Sequence, residues 1–199
     1  MPEKCMEGGL SVWQFDGQGS RYARIRKLWR KMYVIAEIGI NHDGSLDKAL
    51  KLIEKAKECG ANAVKFQSFC AERLVSNDCK KVKYQLRSSE DKSESHFEMI
   101  RRLEFNGEKL EKAFHYAKKC SLDFITTPYD PISLFEVHKL GVRNFKLASA
   151  DLGDYFLHSA LSKLKKDWLY LGTGMANINE IKYALSFHNS NKLCVMHCV

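Results

Sequence analysis

The sequence predicts an α/β protein built on a parallel sheet, and three observations predict it. From Met32 onward, short apolar runs alternate with longer amphipathic stretches, the signature of strand–helix repeats joined by right-handed crossovers. Gly60 and Gly141 fall just after amphipathic stretches, where helices end in C-terminal caps. Polar side chains recur near the carboxyl ends of the apolar runs, the end at which parallel α/β folds hold their ligands.

The first strand is expected over 33–39, a buried run that carries a carboxylate, Glu37. Burying a carboxylate is costly unless something pairs or uses it. The run passes through a Gly/Asn/Asp turn holding Asn41 and His42, read as turn and helix-capping residues. Ser45 then opens an amphipathic helix over 46–59. Further strands are expected over 62–67, 122–127, 143–149, 167–172 and 192–198. Helices are expected over 107–120, 131–139, 155–165 and 177–188. Residues 68–106 break the alternation as a long polar insert at the exit of strand two. A segment there is commonly a substrate loop, and within it Tyr84, Gln85 and Glu94–Met99 are candidate contacts.

Residues 1–31 are different. Gly8-Gly9 and Gly17-Gln18-Gly19-Ser20 interrupt any regular pattern, and the segment carries seven Lys/Arg against three acids, half of the chain's net charge of +8. It is expected to be a basic extension outside the core. The remaining body, 32–199, is mildly basic, which suits anionic small molecules and does not demand nucleic acid. The seven cysteines are scattered without a CxxC pair, so free thiols in a reducing cytoplasm are expected. No apolar run approaches the roughly 18 residues of a membrane span, and no membrane association is expected.

Strand periodicity places Ile35, Glu37 and Gly39 on one face of the first strand, and Ala63, Lys65 and Gln67 on one face of the second. Thr126-Thr127-Pro128 ends the third. Lys146 and Ala148 share a face of the fourth, with Ser149 at its exit. Several strands thus deliver one acid, two ammonium groups and neutral donors to one place. Two lysines in one cavity repel each other unless an anion joins them, and a phosphate or carboxylate ligand resolves this. Glu37 beside them is poised to move a proton or hold a sugar hydroxyl. A structural Glu–Lys pair within the sheet is the competing reading. Thr173-Gly174-Met175 reads as a tight turn. His197 and Cys198 are adjacent in a strand and so point to opposite faces, which argues against joint metal ligation. About six β/α units fill 32–199, against about 250 residues for a closed eight-fold barrel.

The segments Ala36–Gly44, Gly60–Gln67, Thr126–Pro128, Phe145–Ser149 and Thr173–Met175, in this order and spacing, resemble the bacterial N-acetylneuraminate (sialic acid) synthase family, which includes legionaminate, pseudaminate and spore-coat polysaccharide synthases. The resemblance covers Met32 to Val199. It implies a (β/α)8 barrel of the TIM type, incomplete in this chain, with the last strands and a C-terminal antifreeze-like domain lying beyond Val199. It implies condensation of phosphoenolpyruvate with an N-acetylated amino sugar of the N-acetylmannosamine type, a divalent metal (Mn2+ or Mg2+) whose ligands also lie beyond Val199, and a homodimer for the full-length family. It implies that Glu37 contacts the amino sugar and moves a proton. Lys65 and Lys146 would hold phosphoenolpyruvate with Thr127 and Ser149, and Gln67 would line the reacting centre. Two departures stand out: Gly172 where many relatives have serine, and Asp151 where many have glutamate. The fragment alone is expected to be weakly active or inactive. Another phosphoenolpyruvate synthase acting on a sugar phosphate, using Arg73, Arg87, Arg101 and Arg102 for the second phosphate, and a non-catalytic binding fragment are the alternatives.

Overall fold

A computed structural model describes residues 32–77, 79, 94–189 and 192–198. The extension 1–31, Tyr84, Gln85 and Arg87 lie outside the described residues.

Six parallel strands form one sheet in sequence order: β1 (Ile35–Gly39), β2 (Ala63–Ser68), β3 (Asp123–Pro128), β4 (Asn144–Leu147), β5 (Trp168–Gly172) and β6 (Leu193–Met196). Sequential order with every pair parallel is the topology of a (β/α) barrel wall, open between β1 and β6. The crossover helices are α1 (Leu46–Glu58), α4 (Gly107–Lys119), α5 (Pro131–Lys139), α6 (Tyr155–Ser162) and α7 (Ile178–Ser186).

Local chemistry sets the helix boundaries. The Ser45 side chain accepts from the Lys48 amide at the start of α1. Asp130 caps α5, with Pro131 in its first turn, and Asp154 caps α6. Asn177 and Glu180 form a reciprocal capping box on α7. Gly60 and Gly141 have positive φ (82° and 97°), as the sequence required of them.

The two faces of the sheet differ. The helix-facing side carries Val64, Phe66, Phe124, Phe145, Leu147, Leu169 and Leu171, which pack with Ile53, Leu110, Phe114, Leu134 and Leu157 into the main core. The opposite face holds a small cluster of Ala63, Ile125 and Tyr170, flanked by Ile35, Cys194 and Met196. One step further along the strands, that second face turns polar.

Strand one keeps the alternation the sequence predicts: Ile38 is buried with the helices, and a Cβ on Gly39 would meet Glu37 Oε1 and Gln67 Nε2. Its register with β2 nevertheless shifts between Glu37 and Gly39, and Gly39 sits at φ 53°. The polar insert after β2 holds structure of its own. It contains α2 (Ala71–Leu74) and α3 (His96–Arg102), and Phe69, Ala71, Leu103 and Phe105 at its two ends are buried. Arg73 ties it to the cap of α5 through Asp130 (3.0 Å) and Ser133 (3.0 Å).

Candidate active site

The polar layer is built by register. Glu37 pairs with Lys65 across β1 and β2, Gln67 pairs with Thr127 across β2 and β3, and Lys146 follows Phe145, which pairs with Thr126. The period of two turns these positions to the inward face. Lys65 Nζ lies 2.7 Å from Glu37 Oε2 and donates to Thr127 Oγ1 at 3.3 Å. The lysine side chain is 10% exposed and the glutamate's is 51% exposed, so the pair reaches from the sheet interior to an open rim. A Cβ built on Gly39 meets Glu37 Oε1 at 3.0 Å and Gln67 Nε2 at 3.6 Å, so Glu37 and Gln67 flank the same glycine. Gly39 thus leaves space that any larger residue would take from the acid.

Lys146 belongs to the same field. Burial pushes its ammonium below the usual range, the Lys65 charge adds to this, and Glu37 and Asp151 oppose it. The two lysines are close enough to repel, as the sequence implied. Ser149 opens the turn after β4 (a single 3-10 turn, Ser149–Asp151), and its Oγ accepts the Gly174 amide at 2.9 Å. Thr173 Oγ1 donates to the Met196 carbonyl (2.8 Å), binding the β5 exit to β6. The glycine at 172 has a structural cause: a Cβ there would meet Ser149 Oγ at 2.9 Å and the Ser149 amide at 3.0 Å. Ser149 already occupies the space a serine at 172 would need.

Two further residues converge on this layer. Asp151 is pushed up to about 6 by burial, with Asp154 adding and Lys146 opposing, and its Oδ2 is buried without a hydrogen-bond partner. Tyr129 is pushed up to about 12 by burial, with the charges of Asp151 and Glu37 adding. Tyr129 was not singled out from sequence, although the strand period from Thr127 pointed to it. His42 is structural. It is fully buried, its Nδ1 accepts the Gly44 amide at 2.9 Å, and its ring lies against Phe105 and Phe66. Glu94 pairs with Arg102, and Ser95 and Glu98 form the capping box of α3, so the first half of the Glu94–Met99 stretch serves the insert's own fold.

The one group of three metal-ligand-type side chains among the described residues is Cys70, Glu72 and Glu104, at the exit of β2. Cys70 Sγ donates to Glu72 (2.9 Å) and Glu104 accepts the Ala71 amide, so these donors are already engaged. A thiol in the set also fits Mn2+ or Mg2+ poorly, since both favour oxygen ligands.

Residues 52–199 match the NeuB family. The chain belongs to that family. Among its relatives, the N,N'-diacetyllegionaminic acid synthase of Campylobacter jejuni is 37% identical over 174 residues, covering 85% of this chain and 52% of that protein. The human N-acetylneuraminate-9-phosphate synthase is 29% identical over 169 residues, covering 83% and 46%. The crystal structure of an N-acetylneuraminic acid synthetase from Leptospira borgpetersenii, in complex with citrate, superposes with a TM-score of 0.69 at 25% identity, over 100% of this chain and 60% of that one. A truncated 3-deoxy-D-arabino-heptulosonate 7-phosphate synthase from Thermotoga maritima shares the fold at 12% identity, with a TM-score of 0.54. This NeuB-family chain spans about half the length of the curated relatives it matches. The six-strand wall is thus the corresponding part of an α/β barrel of the synthase type.

Proposed function

We propose that this NeuB-family chain carries the phosphoenolpyruvate-binding part of a nonulosonic-acid synthase, which condenses phosphoenolpyruvate with an N-acetylated amino sugar and releases phosphate. The observation that carries the reading is the convergence of Lys65, Lys146 and Thr127 with Glu37 on one inward layer. Two ammonium groups drawn away from water in one field call for a multivalent anion, and phosphoenolpyruvate supplies a phosphate and a carboxylate. The bound citrate of the Leptospira relative is also a polyanion.

In this reading Lys65 and Lys146 clamp the phosphoester, with Thr127 and Ser149 adding hydroxyl donors. C3 of phosphoenolpyruvate forms the new bond to the sugar aldehyde carbon with the C2–C3 π electrons, and Glu37, at the solvent-exposed rim, relays a proton from water to the developing alkoxide. Water adds to the cationic C2 and gives up one proton, and the C2–O bond to phosphate then breaks with its electrons on the departing phosphate, which takes the remaining C2 hydroxyl proton as the ketone forms. Asp151, pushed up to about 6 by burial, is in its ionised form the base this reading assigns to that water. The divalent metal that the resemblance implies finds no fitting ligand set among the described residues, where Cys70, Glu72 and Glu104 are already engaged.

Two of the four arginines that the sugar-phosphate alternative would use are already engaged, while Arg101 is exposed and Arg87 lies outside the described residues. Arg73 is engaged by Asp130 and Ser133, and Arg102 by Asp43 and Glu94, so neither is free to hold a second phosphate. The test is calorimetric titration with phosphoenolpyruvate, then phosphate release with N-acetylmannosamine and Mn2+. Saturable binding supports the clamp, and its absence overturns it. Turnover with N-acetylmannosamine 6-phosphate alone would overturn the sugar assignment.

A further inference from the structure

Outside the site, two histidines are buried against each other between α6 and the end of α7. His158 is fully buried and His188 is 8% exposed. His158 Nε2 lies 2.8 Å from the Leu152 carbonyl, and His158 Nδ1 lies 2.8 Å from His188 Nε2. A carbonyl only accepts, so the His158 proton sits on Nε2. Its Nδ1 is then bare and must accept from His188 Nε2–H, which leaves His188 Nδ1 bare. That atom is indeed buried without a partner. The chain of donors therefore runs one way, from His188 through His158 to Leu152. Phe187 stacks on the His158 ring (centroids 5.3 Å apart, planes 25° apart) and holds it in register.

Leu152 closes the turn that carries the site. Its amide donates to the Ser149 carbonyl (3.3 Å), and the Asp154 amide donates to the Asp151 carbonyl (3.0 Å). At the other end Ser149 Oγ is fixed by the Gly174 amide. The turn bearing Ser149 and Asp151 thus has two anchors, and the deeper one is an imidazole. Leu152 is itself buried, so without His158 its carbonyl would lose its partner away from water, the costly arrangement.

We propose that His158, held in a single tautomer by His188, is a positioning residue that fixes the Ser149–Asp151 turn at the mouth of the anion site. The structural part stands on the geometry alone. The consequence for ligand rests on the function proposed above.

The test compares His158→Leu with His158→Gln, whose amide nitrogen reaches the Nε2 position. Amide hydrogen exchange over 149–154 is read without ligand, and phosphoenolpyruvate affinity is read by calorimetry. His158→Leu should speed exchange in this turn about tenfold, leave β1–β3 protected, and weaken phosphoenolpyruvate about tenfold, the scale of one buried hydrogen bond. His158→Gln should restore most of both. Unchanged exchange in the leucine variant, or a glutamine variant no better than leucine, overturns the proposal. If the leucine variant does not fold, nitrogen-15 spectra of the unaltered chain decide: both rings protonated at Nε2 supports it, and a proton on His158 Nδ1 overturns it. Altered exchange in a chain that does not bind phosphoenolpyruvate would sink the proposed function and leave the brace standing.

Discussion

Lys65 and Glu37 are 2.7 Å apart, but they are not equivalent partners: the ammonium is nearly buried and the carboxylate is half exposed. Removing the exposed partner strands the buried one, and removing the buried one leaves a carboxylate that water can solvate. Glu37→Ala should therefore destabilise the chain more than Lys65→Met, by about 1–3 kcal/mol against about 1 kcal/mol or less. Because Glu37 and an anion compete for the same ammonium, added phosphate should raise the melting temperature of Glu37→Ala more than that of the unaltered chain. Lys65→Met should abolish the phosphate effect. Equal phosphate shifts in all three would show that the anion does not use Lys65.

That layer was legible in the sequence because its logic is periodic. The period of two put Glu37, Lys65 and Lys146 on the inward faces of their strands, and the parallel register brings Thr127 to the same layer. What was hidden depends on deviations from the period or on distant partners. The bulge at Ile38 follows from a positive φ at Gly39, which a Gly-Ile-Asn run does not announce. His42 read as a turn residue, and only the arrival of Phe105 from the far end of the insert buries it. His158 and His188 are 30 residues apart and meet only when the residues after α7 fold against α6.

Acid stability should be governed by those buried imidazoles. Burial lowers His42 to about 4 and, with His158 and Lys166 adding, lowers His188 to about 4, from an ordinary value near 6.5. Below 6.5 the unfolded chain binds protons that the folded chain refuses, so stability falls as pH drops from about 6.5 to 4. Asp151 works the other way: its folded value of about 6 lies above the unfolded one, so it contributes stability that is present below pH 4 and is lost as pH rises to 6. Burial lowers His158 as well, so three imidazoles against one carboxyl leave a net loss of stability on acidification. Denaturant unfolding at pH 7, 5.5 and 4.5 reads it. Asp151→Asn should steepen the loss, and a shallower profile in that variant would contradict the assignment.

Gly44 should tolerate no side chain. Its φ is 70°, and a Cβ there would press into the carbonyl of Arg102, a backbone atom with little room to yield. The same junction is tied by Arg102 to Asp43 (3.3 Å) and by Lys109 to the Gly44 carbonyl (2.9 Å), so the insert's return docks on the turn after β1. Gly44→Ala should cost about 2–4 kcal/mol, combining left-handed strain with displacement of the docked segment. Loss of protection at His96–Phe105 in hydrogen exchange would locate the damage. A variant as stable as the unaltered chain would mean that the turn and the insert are not in contact.

Gly172 tests how the anion site is packed. A methyl group there meets Ser149 Oγ at 2.9 Å, the Ser149 amide at 3.0 Å and the Leu147 carbonyl at 3.2 Å, whereas at Gly174 the nearest contact is Ser149 Oγ at 3.1 Å. Two of the three obstacles at 172 are backbone, so Gly172→Ala must shift the β4 exit itself. It should cost about 1–3 kcal/mol and weaken phosphoenolpyruvate, while Gly174→Ala should be milder. Adding Ser149→Ala removes only the hydroxyl obstacle. The double variant should therefore recover part of the loss, with a coupling of about 0.5–1 kcal/mol, and a strictly additive pair would place the strain in the backbone alone.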